Sequence, residues 1–156
     1  MSELADRLCG SWSLESWLRV SADGSERAPF GHDAQGSLFY VLTSDDDGDG
    51  DGWLGRMSAQ LSVRARPPLS APPTSGERTR EKSAAFDTYL AYSGRWRLDG
   101  TRVIHAVELS LYPAWVGTEL VRAVSFVGDR LVLSALPEPG GGIPRASQHL
   151  RWRRNA

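Results

Sequence analysis

Cysteine is nearly absent from this chain, with Cys9 the single example among 156 residues. A lone thiol closes no intramolecular disulfide, so no cross-linked framework supports the fold and nothing calls for an oxidising compartment. Long apolar runs are missing too: none approaches the ~18 residues that cross a bilayer. The N-terminal MSELADRLCGSW is charged where a signal peptide would be apolar. These absences predict a cytoplasmic protein without membrane insertion. Charge of one sign is also lacking, since 18 basic and 19 acidic residues leave a net charge of -1. That balance provides no field for nucleic acid. Histidine is scarce at three residues, and there is no GxSxG elbow, no HExxH and no paired cysteine. Acyl-enzyme and zinc chemistry therefore lack support, and neither a metal nor a cofactor is expected.

What the chain does have is alternation. Its length suits a single domain over residues 1–156. Apolar and polar residues alternate as in strands with one dry and one wet face. In SWSLESWLRV, Trp12, Leu14, Ser16, Leu18 and Val20 fall on one face, with Trp17 on the other. GSLFYVLT and RMSAQLSVRAR follow, the latter with Met57, Ala59, Leu61 and Val63 to one side. Then PPLSAPPTSG forbids regular pairing and ERTREKSAAF reads as a short helix. TYLAYSGRWRL, TRVIHAVELSLY, GTELVRAVSFV, RLVLSAL and ASQHLRWRR read as further strands joined by short turns. The predicted fold is all-β, an eight-stranded antiparallel up-and-down β-barrel with one short helix in the long loop before strand 4. A barrel of that size holds packed side chains or one small ligand. The segment from Pro67 to Phe86 is a candidate lid over its open end.

SDDDGDGDGW, Ser44 to Trp53, imitates a calcium loop, with Asp45, Asp47 and Asp49 at alternate positions and Gly50 at the turn. The closing position, which should be a bidentate glutamate, is Arg56, and strands rather than helices flank the run. It is read as a lengthened, solvated hairpin turn.

Candidate chemistry concentrates on few residues. His105 shares an apolar face with Val103, Val107, Leu109 and Leu111, and it reads either as a proton shuttle or as a buried, hydrogen-bonded core histidine. Arg122 shares a face with Leu120, Val124 and Phe126; turned inward, it needs an anionic partner or ligand, and the alternative is an exposed arginine or one paired with Glu108 or Glu119, since the strand is apolar on both faces. Tyr92 is the third candidate, because a phenol in an apolar barrel orients a ligand through one hydrogen bond, the alternative being an aromatic that only fills the core. Tyr40, Met57, Trp96, Leu109, Trp115 and Phe126 are expected to line the ligand space. Trp152 is assigned to the core.

Gly10-Ser11-Trp12 and the arginines of the terminal LRWRR resemble the signature of the lipocalin superfamily, in which the tryptophan closes one barrel end beneath an arginine of the last strand. GSWSLESW, GSLFY, GRMSAQL, YLAYSGRW, VIHAVELSLYPAWVGTELVR, GDRLVL and LRWRR, in that order, resemble the small bacterial lipocalin-like domain family. The resemblance implies a cup for a small, mostly apolar molecule, and it matches Arg122 to an arginine of that strand. Related barrels include cofactor-free cyclases of polyketide pathways. The expected function is binding of a polyketide- or terpenoid-type intermediate with cofactor-free cyclisation or isomerisation, the alternative being a non-catalytic carrier. A small hydrophobic ligand is the expected partner, and the protein a monomer or homodimer.

Overall fold

Alternation sets the strands, and the way their two ends meet sets the barrel. The computed structural model describes residues 2–43, 52–136 and 146–156. In chain order the elements are α1 (Glu3–Leu8), β1 (Gly10–Val20), β2 (Glu26–Arg27), β3 (Gln35–Leu42), β4 (Gly55–Ser62), α2 (Gly76–Asp87), β5 (Tyr89–Asp99), β6 (Arg102–Ser110), β7 (Glu119–Val127), β8 (Arg130–Ala135) and β9 (Ser147–Arg154). From β3 to β9 each strand pairs antiparallel with the next, β3 pairs with β1, and β9 returns to β1. Eight long strands thus close on themselves, leaving only the two-residue β2 beside the end of β1. Closure removes the open edges that would otherwise recruit another chain. Most of the acidic run Ser44 to Trp53 falls outside the described residues, so its turn reading is not addressed.

The helix α2 lies in the β4–β5 connection, as expected from ERTREKSAAF. A second helix, α1, was not anticipated. Ser2 caps it by accepting from the Ala5 amide at 3.2 Å, and Ala5 and Leu8 are fully buried against the barrel. Next to it, the Trp12 indole donates to the Leu8 carbonyl at 2.9 Å. The Arg154 guanidinium lies 4.2 Å above the Trp12 ring and donates to the carbonyls of Cys9 and Arg7. Gly10 makes room for this arginine: its φ is +126°, and a β-carbon there would stand 2.7 Å from Arg154 Nη1. This end of the barrel is therefore a plugged floor.

Two bulges correct the sequence-based reading of faces. Along β1, Leu14 pairs with Trp152 and Ser16 with Arg151, so Glu15 is an extra residue and the parity of β1 inverts after it. Trp17 turns inward in consequence, where strict alternation had placed it opposite Trp12. On β6 the shift lies between Gly94–Val107 and Ser93–Leu109, which makes Glu108 the extra residue. Leu109 accordingly faces outward and is 71% exposed. The expectation that Leu109 lines the ligand space is corrected by this one-residue inversion.

The second bulge needs Gly94. A β-carbon there would lie 1.8 Å from the Ala106 carbonyl oxygen, far inside contact distance. We expect Gly94→Ala to destabilise the protein by about 1–3 kcal/mol, the usual cost of forcing atoms into a packed site. Urea unfolding measures it, and an unchanged midpoint would mean that β5 and β6 have slack not visible in their pairing.

Candidate functional site

Above the floor, inward side chains surround a cavity of about 320 Å³. Its walls are apolar residues of β3, β4, β5, β8 and β9: Leu38, Ala59, Leu61, Leu90, Leu133, Ala135, Leu150 and Trp152. Trp17 enters the lining because the β1 bulge turned it inward, and its indole donates to Gln148 Oε1 at 2.8 Å. Tyr112 and Trp115, at the 3-10 turn Pro113–Trp115 between β6 and β7, complete the mouth. A cavity near 300 Å³ is at the small end of ligand sites and suits a molecule of about one ring. A larger depression of about 640 Å³ lies on the outer wall, lined by groups such as Gln35, Gln60, Arg64 and Arg153. It is open and polar, so it does not desolvate a ligand as the barrel interior does.

The three residues predicted to carry chemistry sit close together. His105 is fully buried on β6 between two phenols. Tyr40 Oη lies 2.6 Å from its Nε2, and Tyr92 Oη 3.0 Å from its Nδ1. Burial pushes the His105 pKa down to about 3, with a smaller contribution from the Arg122 cation, so the ring is neutral and has one N–H and one acceptor nitrogen. Partner counting then orders the protons. Tyr40 is fully buried, and among the described residues its hydroxyl has no other partner. It must donate, to Nε2, or carry an unpaired buried O–H. That leaves the hydrogen on Nδ1, which donates to Tyr92, and the Tyr92 O–H hydrogen remains free. Tyr92 is the member of the chain that borders the cavity.

Both phenols are held protonated. Tyr40 is pushed well above its ordinary pKa by burial and then by the neighbouring Tyr92, against a smaller opposing effect of Arg122. Tyr92 is raised by burial and eased by Arg122. The arginine itself lies on the inner face of β7, lines the cavity, and donates one N–H to the Val121 carbonyl at 2.9 Å.

Ring contacts extend this chain in both directions. Trp96 stands edge-on to Tyr40 at 5.1 Å, Tyr92 to Trp115 at 5.6 Å, Trp115 to Tyr112 at 5.0 Å, and Tyr112 to Phe86 of α2 at 5.5 Å. Aromatic rings thus run from the barrel interior to Phe86 of α2. In the segment named above as a candidate lid, α2 buries no residue of its own.

The other expected lining residues are placed differently. Trp96 is fully buried behind Tyr40 and donates to the Val41 carbonyl at 3.0 Å, and Met57 is core beside it. Phe126 belongs to the floor, 6.3 Å from the Trp12 ring and with Arg7 over its face at 3.8 Å. Tyr92, Arg122 and Trp115 line the cavity, whereas Tyr40, Met57, Trp96 and Phe126 support it from behind or below. Sequence reasoning missed Gln148, which follows Ser147 at the start of β9, and assigned Trp152 to the core although it also lines the cavity. Only the inward parity of Trp152, Leu150 and Gln148 carried that signal. Among the described residues, no cluster of three or more histidine, cysteine or carboxylate side chains could hold a metal. No helix there is long and apolar enough to cross a membrane.

The model of the lipocalin-like domain family matches residues 9–155. The 4'-hydroxy-3'-methoxypropiophenone carrier protein ppsC of Aspergillus oryzae is 37% identical over 107 residues, which span 63% of this chain and 96% of that protein. No solved structure gives a significant match. A family match over nearly the whole chain, a barrel closed between its first and last strands and an arginine over the floor tryptophan agree with one another: the protein is a ligand-binding barrel and belongs to the lipocalin-like domain family.

Proposed function

We propose that the protein carries a small aromatic molecule bearing a ketone or related oxygen function, of the polyketide type, in its barrel cavity. One observation carries this reading: an apolar cavity of about 320 Å³, walled by Trp17, Tyr92, Tyr112 and Trp115, presents hydrogen-bond donors at its polar points. Rings pack well against such walls, and a donor rewards an acceptor oxygen on the bound molecule. The relative's name supports the class, since it describes the carrier of a hydroxy-methoxy-phenyl ketone.

A second reading, cofactor-free cyclisation or isomerisation by cycloaddition or conjugate addition, is favoured by the free Tyr92 O–H beside the Arg122 cation, which would stabilise charge developing on a carbonyl. Carriage ranks first because, among the described residues, no carboxylate lines the cavity and the neutral His105 lies behind Tyr92. A base for removing a proton from carbon is not at hand.

Titration with 4'-hydroxy-3'-methoxypropiophenone, followed by tryptophan fluorescence, is expected to show saturable binding. In Ala135→Trp, which fills the cavity from β8, binding should fall at least about tenfold, a loss near 1.4 kcal/mol. Equal binding by this variant, with its circular dichroism unchanged, would place the ligand elsewhere. Incubation with linear precursors and analysis for products of unchanged mass separates the two readings, because a carrier returns its ligand intact.

A further inference from the structure

We propose that the cavity takes its ligand as an oxyanion, a phenolate, enolate or carboxylate, held by the Arg122 guanidinium, the Tyr92 hydroxyl and the Trp152 indole N–H. The proposal rests on the carrier reading and adds the charge state of what is carried.

Three observations support it. Trp152 is 1% exposed and lines the cavity, yet its Nε1 has no hydrogen-bond partner among the described residues. A buried N–H without an acceptor costs on the order of 1–3 kcal/mol, which an acceptor in the cavity would recover. The second is the polarity of the phenol chain: Tyr40 and His105 donate toward Tyr92, so Tyr92 has a hydrogen to give and, being itself supplied with one, gives it more strongly.

Third is the cation. Arg122 has five N–H groups, one of them on the Val121 carbonyl, and no ion pair among the described residues. The carboxylates on surrounding strands face other arginines: Glu108 meets Arg56 and Arg95, Glu119 meets Arg97, and Glu15 meets Arg130 and Arg151. The titratable groups left around the cavity are Tyr92, Tyr112 and, behind them, His105 and Tyr40. Burial holds the Tyr92 and Tyr40 phenols protonated and His105 neutral, so these three supply no negative charge. A cation bordering an apolar cavity thus lacks its counter-charge, and Arg122, Tyr92 and Trp152 all line the cavity in which an anionic oxygen would supply it.

4-Nitrophenol tests this, because its phenolate absorbs separately from the phenol and it ionises near neutrality; 4-nitroanisole is its uncharged counterpart of similar shape. Bound 4-nitrophenol is expected to ionise at a pH lower by about one unit or more, as for acids beside an arginine. Equivalently, the phenolate binds roughly tenfold tighter than the phenol. Arg122→Gln should abolish the shift and leave 4-nitroanisole binding in place, Arg122→Lys should retain most of it, and Tyr92→Phe and Trp152→Phe should each reduce it. An unshifted or raised ionisation, or a shift indifferent to Arg122→Gln, would overturn the proposal, as would uptake of 4-nitroanisole without 4-nitrophenol. If neither compound binds, this inference is overturned, whereas the carrier reading stands or falls by the propiophenone titration.

Discussion

Trp12→Ala is expected to lower the unfolding free energy by about 3–5 kcal/mol, the range for truncating a large buried aromatic. Trp12 is 1% exposed, and three separate elements meet on it. Its indole holds the end of α1 through the Leu8 carbonyl, its face receives the Arg154 guanidinium, and Phe126 of β7 packs at its side. Alanine removes the ring and leaves an acceptor, a cation and an aromatic around a void. Because Arg154 also donates to the carbonyls of Cys9 and Arg7, loosening it releases the C-terminal end of the floor helix. Trp12→Phe separates the contributions: it keeps most of the packed surface and loses the indole bond, so it should cost about 1 kcal/mol from the lost hydrogen bond and a smaller packing loss. Urea denaturation checks both, and equal costs for the two variants would mean that the hydrogen bond, not the ring, holds the floor. Affinity in the folded fraction should change little, since Trp12 is not among the side chains that line the cavity.

Much of this architecture was legible because alternation is a local property. Leu38 and Tyr40 on β3, Met57, Ala59 and Leu61 on β4, and Trp96 on β5 are all buried as a two-residue period demands. The floor was legible through Trp12 and the terminal arginines. What escaped was whatever depends on a one-residue offset or on contacts across the barrel. The extra residues Glu15 and Glu108 look like ordinary polar positions, yet each inverts the faces beyond it, bringing Trp17 in and sending Leu109 out. Gly94 was a local hint, because glycine within a strand marks a bulge or a close backbone approach. The short α1 was signalled by Ser2 followed by Glu3 and Asp6, a capped and acidic first turn, but six residues give too little periodicity to weigh.

The candidate site was legible in its members and not in its connections. His105 was placed inside by its apolar neighbours on β6, whereas β7 is apolar on both faces in sequence and its periodicity left the side of Arg122 undecided. Periodicity says nothing about which strands face one another across a closed barrel. Tyr40 of β3 and His105 of β6 are separated by 65 positions and by the two intervening strands β4 and β5, so their bond exists only once the ladder has closed. The free hydroxyl of Tyr92 follows from that bond alone. Part of the site is thus a property of the closure rather than of any one strand.

The same burial predicts how stability responds to acid. His105 titrates near 6.5 in an unfolded chain and at about 3 in the fold, so between those values the unfolded state binds the additional proton. Stability therefore rises with pH across this window: the contribution is complete above about 6.5, declines as pH falls, and is gone below about 3. Well inside the window the slope from this one group approaches about 1.4 kcal/mol per pH unit. His105→Gln supplies both a donor and an acceptor between Tyr40 and Tyr92 and cannot take up a proton. We expect it to cost stability at pH 7 through imperfect fit, yet to lose less than the parent protein between pH 6 and pH 4. Carboxylates titrate at the lower end of this range in both proteins and cancel in the comparison. Urea unfolding free energies at several pH values give the two slopes. Parallel slopes would mean that His105 is reached by water or protonated in the folded barrel, and the assignment of Tyr92 as the free donor would lose its basis.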